Sequence, residues 1–540
     1  MQNFWKFNKY KIILILIIAL GAFFRLYNLD WDQGHYLHPD ERLYVNSSNI
    51  SFPKTVAEFF SPDSPLNPKM FYYGSFPLFI YKIINVTILP LISFSIVSRL
   101  VSSLFSIFTI LPIYLLTRQF FPKKTGILAV LIFAFAAGLI QHAHFSTTES
   151  ILTFFLTLIT LLSIYFVRKK NWSLALILGI LVGASYATKI VGLTFAFIPA
   201  ISFAILIFNK REIKKTIFLI LIFIFSAAIA GFLFAPYQII DYQNFSNQQT
   251  YMQDVTYGKN KPPFVIIYEN TVPYVYQITK VLPFTFGFIS LPLALLGLYF
   301  ILIKFFKEKK EHLLYIFILV FPIFYFLWSG AWFTKFSRYY ILLFPFLSVW
   351  AAYFLSKLKK IYIIVLLVLI VVNGMLFIRI YLQENTRVQA SEWIYANIPN
   401  LSKIAGEHWD DNLPLPVIHT FGNNFITTQL TVYDPDSPEK INKLSQDLSQ
   451  SDYFIISSRR VYYSILVNAN KYPFTSNFYK LLFAEKLGYK LEKSFTNYPF
   501  YFNDDFADES FQSYDHPPVY IFRNTERLNK EKLVSLIESK

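Results

Sequence analysis

Apolar residues in this chain come in long unbroken runs rather than at helical or alternating spacing. Eleven runs are each long enough for a helix that crosses a bilayer, which needs about 20 residues. They fall at roughly 11–28, 97–118, 124–142, 149–167, 172–188, 190–208, 216–235, 282–303, 313–330, 339–356 and 361–380. A further stretch, FYYGSFPLFIYKIINVTILP at 71–90, is apolar enough to span, but its Gly74, Pro77, Lys82 and Asn85 suit a helix lying at the membrane face better. From about 384 the pattern changes. SKIAGEH, FITTQLTVYD, DYFIISSRR and VYIFRN read as strands, while EKINKLSQDLSQ and ERLNKEKLVSLIESK read as amphipathic helices. The expected fold is a polytopic α-helical membrane protein with about 11 transmembrane helices over 1–383, followed by a soluble α/β domain over 384–540. No repeat of 20–50 residues is apparent.

Composition supports this division. Of 540 residues, 55% are hydrophobic and only 15% charged, against about a quarter charged in an ordinary soluble chain. The net charge of +16 could suggest nucleic acid, but the basic residues sit in short clusters between apolar runs. They are Lys6, Lys9 and Lys11; Arg118, Lys123 and Lys124; Arg168, Lys169 and Lys170; Lys210, Arg211, Lys214 and Lys215; Lys304, Lys307, Lys309 and Lys310; and Lys357, Lys359 and Lys360. That is the positive-inside pattern, so no nucleic-acid partner is expected. Two spans fit between successive clusters, except that the 71–90 segment must not cross. The expected topology is a multi-pass plasma-membrane protein with a cytoplasmic N-terminus and an extracytoplasmic tail. The first run has no small-residue cleavage site after it and reads as a retained helix, not a signal peptide. No cysteine is present, so neither disulfides nor a thiolate metal site is available.

This threading sends several charged side chains to one face of the membrane. HYLHPDERLYV (35–45) carries His38, Asp40 and Glu41 in the outer loop 29–96. QHAHFSTTE (141–149) carries His142, His144 and Glu149; Lys189 lies at the junction of two spans; Lys335, Arg338 and Tyr339 open TKFSRYYILLFPFL. Charged groups at such positions are costly and mark functional sites by default. A carboxylate can serve as a general base, and Arg or Lys can hold an anionic leaving group. Each also has a structural reading. Asp40 and Glu41 after Pro39 suit the first turn of a surface helix, and adjacent residues do not share a helix face. Ser146 through Glu149 fits a capping box. His38 either orients the acidic pair or is a loop residue. His142 and His144, two apart, do not converge on a helix, so no metal site is assigned to them and need for a divalent metal stays open. Lys189 could snorkel and Arg338-Tyr339 could anchor an interface. DWDQG (30–34) is similar to a WWDxG motif but lacks its first Trp and lies in the wrong part of the chain; it is taken as coincidence.

The chain resembles the GT-C superfamily of glycosyltransferases that use lipid-linked sugars, and within it the clan of protein O-mannosyltransferases and aminoarabinose transferases. The resemblance rests on Arg25 before the loop with Asp40-Glu41, RLVSSLFSIFTILPIYLLTRQFF (99–121), HFSTTESILTFFL (144–156), GASYATKIVGL (183–193), KFSRYYILLFPFL (335–347) and the closing YDHPPVYIF (514–522). It implies an inverting transferase that moves a sugar from a polyprenyl-phosphate donor to an extracytoplasmic protein, glycolipid or cell-wall glycan. Asp40 would be the base, Glu41 and Glu149 the candidates for a second acid, and Lys189 and Arg338, with Lys335, Tyr339 and His38 beside them, the substrate-binding set. A flippase of lipid-linked sugars, and a scaffold whose tail is the functional part, are the rival expectations.

Overall fold

The computed structural model describes residues 2–208, 213–307, 313–417, 424–500 and 502–539. The basic residues Lys210, Arg211, Lys309 and Lys310 lie outside them. Two compact units emerge, one made of residues 1–29, 38–254 and 273–378, the other of 30–37, 255–272 and 379–540.

The first unit is helical. Among the described residues, eight helices are long and apolar enough to cross a membrane, and a ninth results if Lys123–Ala134 and Ala137–Ala143, bent by 59° at their junction, form one span. Each of the eleven expected spans has a helical counterpart, but three do not pass as simple crossings. Gln2–Leu26 coincides with the first. Trp172–Thr188 has only 17 residues, about 25 Å at 1.5 Å per residue. The 124–142 run is the bent pair. The run expected from 282 begins at Ser290 instead, because Gly287, with φ of +120°, separates it from the turn Leu282–Thr285. The 71–90 stretch holds a 13-residue helix, Ser75–Thr87, about 20 Å long, short of the ~30 Å hydrocarbon core.

Buried hydroxyls bond within their own helix, and glycines let neighbouring helices approach where no hydrophobic drive acts between them. In Glu149–Lys169, Thr153, Thr157 and Thr160 each donate to the carbonyl one turn back, at 2.7–2.8 Å. Gly179 and Gly183 face the Ile213–Phe234 helix so closely that a Cβ on Gly179 would lie 1.9 Å from the Ser226 Oγ. That four-residue glycine spacing permits near backbone contact between the two helices.

The second unit contains a five-stranded sheet in the order β2-β1-β3-β5-β4, with β1 Lys403–Glu407, β2 Ile426–Leu430, β3 Tyr453–Ile456, β4 Tyr489–Phe495 and β5 Val519–Asn524. β1 pairs in parallel with β2 and β3; β5 pairs antiparallel with β3 and β4. Helices Pro438–Gln450 and Lys530–Glu538 bury Ile441, Leu444, Leu448, Leu533 and Ile537 with Ala405, Phe454, Ile456 and Phe522 of the sheet. Ile266, from the 255–272 stretch, joins that core. β1, β2, β3 and β5 match the four expected strands. β4 escapes a pattern search because it is an edge strand with five consecutive exposed positions in YKLEKSF, so no buried alternation exists to detect.

The YDHPP stretch closes the unit with buried charges. His516 bonds Asp504 at 2.8 Å and Asp515 at 2.6 Å, and Asp515 also accepts from the Tyr381 hydroxyl at 2.7 Å. Burial alone pulls the His516 imidazole down, but Asp515 and Asp504 outweigh it and push it up to about 10. A folded value raised above the ordinary ~6.5 gives stability that is complete below about pH 6.5 and lost as pH climbs through about 10. The urea midpoint of this unit, read by pulse proteolysis of the full chain, is therefore expected to fall between pH 6.5 and 10. His516→Asn should be less stable at neutral pH and should flatten that slope; an unchanged slope would refute the assignment.

Candidate active site

Asp40, Glu41, Glu149, Lys189, Lys335 and Arg338 all belong to the first unit, and the structure gives each of the three acids a cation as partner. The helix Pro39–Asn46 starts where the sequence suggests: Pro39 occupies its first position and His38 caps it, the His38 Nδ1 accepting from the Asp40 amide at 3.2 Å. Asp40 and Glu41 occupy the first turn, where the helix dipole favours anions. About 100° separates adjacent residues on a helix, so the two carboxylates meet different partners.

Glu41 meets Arg99. The guanidinium donates from Nε to Glu41 Oε2 at 3.1 Å, with Nη2 and Glu41 Oε1 2.8 Å apart, and Nη1 donates to the Leu29 carbonyl at 2.8 Å. Both side chains are fully enclosed. This forked pair ties the Pro39–Asn46 helix to the Phe94–Phe108 helix. Asp40 meets Arg338, Oδ2 to Nη1 at 2.8 Å, and this pair keeps some access, at 13% and 10% side-chain exposure.

Glu149 begins the Glu149–Lys169 helix. The capping box does not form there, since Thr148 has helical dihedrals and makes no side-chain cap. Instead the Glu149 carboxylate accepts from the Thr148 hydroxyl at 3.2 Å and from Lys189 Nζ at 3.0 Å. Lys189 reaches it from the residue that ends the Trp172–Thr188 helix.

Aromatic rings join the two cations. Lys189 Nζ lies 5.2 Å from the Tyr73 ring and 5.8 Å from the Tyr339 ring. The Arg338 guanidinium lies 4.5 Å from the Phe336 ring and 5.8 Å from that of Tyr339. The same phenol ring thus stands within 6 Å of both cations, a spacing that favours positive charge. Tyr73 stacks on Tyr44 at 5.6 Å, and burial, reinforced by Asp40, holds its hydroxyl well above the usual phenol range, so it remains protonated. Its neighbour Gly74 cannot be replaced without displacement: its amide donates to the Thr188 carbonyl at 3.0 Å, and a Cβ would sit 1.8 Å from the Ala187 oxygen. That contact fixes Tyr73 next to the strand-like residue Lys189.

The remaining candidates make other contacts. Lys335 Nζ donates to the Phe333 carbonyl at 2.8 Å. His142 packs edge-on to Phe145 at 5.7 Å, while both ring nitrogens of His144 face carbonyls, of Ile140 at 2.8 Å and Tyr27 at 2.9 Å. Asp32 of DWDQG is buried and accepts from the Leu37 amide at 3.0 Å within the second unit. Among the described residues, no three His, Asp or Glu side chains gather as a metal-binding set. Arg99 and Tyr73 were not singled out from the sequence. The signal for Arg99 was available: a cation in the middle of an apolar helix calls for a buried counter-charge. For Tyr73 no local pattern distinguishes it from the other tyrosines.

The residues so arranged can be set beside known proteins. The family model for dolichyl-phosphate-mannose-protein mannosyltransferase matches residues 78–236, which include Arg99, Glu149 and Lys189. No curated protein matches the sequence. The archaeal oligosaccharyltransferase AglB from Archaeoglobus fulgidus, solved with an inhibitory peptide and a dolichol-phosphate, shares the fold with a TM-score of 0.52 at 12% identity, over 88% of this chain and 72% of that one. ArnT from Cupriavidus metallidurans, bound to undecaprenyl phosphate, aligns over 97% of this chain and 99% of its own at 11% identity and a TM-score of 0.45. Over residues 78–236 the chain is thus similar to the dolichyl-phosphate-mannose-protein mannosyltransferase family, and its fold is similar to that of the archaeal oligosaccharyltransferase.

Proposed function

We propose that the chain is an integral-membrane inverting glycosyltransferase that takes a sugar from a polyprenyl-phosphate donor and gives it to an extracytoplasmic protein, glycolipid or cell-wall glycan. One observation carries this reading: two cations, Arg338 and Lys189, flank one phenol ring, and each is paired with its own carboxylate, Asp40 and Glu149. Cations so placed suit a lipid phosphate, which Arg can grip with two bonds. Asp40 is the most accessible of the three carboxylates and takes the proton from the acceptor hydroxyl. The acceptor oxygen then bonds to the anomeric carbon from the face opposite the phosphate. The bond from that carbon to the phosphate oxygen breaks, its electron pair leaves with the phosphate, and the configuration inverts. Arg338 and Lys189 stabilise the second negative charge that the departing phosphate gains. Glu149 keeps Lys189 in place, and Glu41 keeps the Pro39–Asn46 helix in place.

The basic clusters support a cytoplasmic N-terminus, with the Asp40 side of the bundle and the tail outside. The flippase alternative has less support. A carrier built from inverted halves would show broken helices in both, and among the described residues one bent pair is found.

The test is transfer by purified, reconstituted protein. Radiolabelled polyprenyl-phosphate sugars are supplied with a membrane and cell-wall extract, with and without Mg²⁺. The expected result is label in an acceptor fraction with the opposite anomeric configuration. Label that crosses the bilayer still attached to lipid, with no transfer from any donor, would move the reading to the flippase.

A further inference from the structure

The Asp40–Arg338 ion pair conflicts with its own chemistry, if the reading above holds. In an inverting displacement the base and the leaving group stand on opposite faces of the sugar. Inverting glycosidases, which solve the same geometric problem, keep their two carboxyl groups about 6.5–9.5 Å apart to leave that room. Here the base and the phosphate-holding cation touch at 2.8 Å. No sugar fits between them, so the observed contact is a closed form of the site. From this we infer that Asp40 and the donor phosphate compete for Arg338: donor binding opens the ion pair and releases the base.

The three acid–base pairs of the site differ in the way this requires. Glu41–Arg99 is sealed, and Arg99 makes a third bond to the Leu29 carbonyl. No oxyanion can enter there without breaking three contacts in a dry interior. Glu149 accepts from Thr148 as well as Lys189 and stands at the N-terminus of a 21-residue helix, which holds a carboxylate in place even when its cation is shared. Asp40–Arg338 is different. Both its partners keep some exposure, 13% for Asp40 and 10% for Arg338, and the guanidinium lies against the Phe336 and Tyr339 rings. Arg338 can therefore stay where it is and change one oxyanion for another. A phosphate offers the same two-oxygen edge as a carboxylate, so the guanidinium is never left without a counter-charge. The freed carboxylate then faces the sugar's other side, free to take the acceptor proton.

The consequence for the reaction is protection against waste. Without donor, Asp40 is occupied and cannot activate water. With donor, the base appears at the moment its substrate does.

The inference deepens the transferase reading and rests on it, so the experiment separates the two. Binding of a short-chain polyprenyl phosphate to the full-length protein in nanodiscs is measured by isothermal titration for wild type, Asp40→Asn, Arg338→Met and the double variant. Melting curves confirm that each is folded, with Asp40→Ala as a second form of the first variant. Competition predicts that Asp40→Asn binds the phosphate more tightly than wild type, by about tenfold on the usual scale of linked equilibria. It predicts that Arg338→Met binds more weakly and that the double variant binds no better than Arg338→Met. Equal or weaker binding by both Asp40 variants overturns the competition while leaving Arg338 and Lys189 as phosphate ligands. A gain that survives in the double variant overturns it too, because the gain would not pass through Arg338. No binding by any of the proteins overturns the donor reading, and the competition with it.

Discussion

Asp40→Asn is expected to lower sugar transfer by about 10²–10⁴-fold, the range that a positioned general base contributes. The substitution keeps the size and shape of the side chain and removes its ability to take a proton. Neither neighbouring acid can substitute. Glu41 is enclosed by Arg99, and Glu149 is bonded to Lys189 and Thr148. The loss should therefore fall on the chemical step. Single-turnover transfer from pre-bound donor measures that step directly, with donor binding followed in parallel. Asp40→Glu, which keeps the carboxylate but moves it by a methylene, is expected to retain part of the activity. Transfer by Asp40→Asn within about threefold of wild type would remove Asp40 from the chemistry.

Arg99→Leu should have the largest effect on stability. It removes the cation that forks onto Glu41 and leaves a carboxylate with no exposed surface. Breaking a buried pair from one side costs about 3–5 kcal/mol, because the remaining charge is uncompensated. It also frees the Leu29 carbonyl and unties the Pro39–Asn46 helix from the Phe94–Phe108 helix. The melting midpoint of the detergent-solubilised protein should fall by several degrees or more, and transfer with it, since Asp40 rides on the same short helix. Replacing both partners, as Arg99→Leu with Glu41→Leu, should recover much of the stability, because no charge is then stranded. It should not recover full transfer, because the tie that aims Asp40 is still absent. The pair therefore separates a structural role from a positioning one. A single variant that melts like wild type would show that Glu41 finds another counter-charge.

Much of the molecule was legible from its residues. Long apolar runs define membrane helices because an unpaired backbone amide in hydrocarbon is too costly for any other extended segment. The change of pattern near 384 announced a separate α/β unit, and a fully buried strand such as YFII of β3 could be read directly. The cost of burying charge marked Asp40, Glu41, Glu149, Lys189 and Arg338 for attention before any contact was known. The adjacency of Asp40 and Glu41 even required them to diverge, since neighbours on a helix point about 100° apart.

Partnership was beyond the sequence. Asp40 and Arg338, or Glu41 and Arg99, lie far apart along the chain, and nothing local to either says which cation each acid meets. The packing of the helices chose, by deciding which pair is sealed and which keeps some exposure. Tertiary structure likewise overrode the capping signal at Ser146–Glu149, because a cation within reach of the carboxylate competed with the helix's own amides. It gave Tyr73 its place through the close approach of Gly74 to the Thr188 backbone. Sequence determines where charge is placed in this protein; only the folded bundle decides what that charge can reach, because side-chain chemistry is local and electrostatic pairing is not.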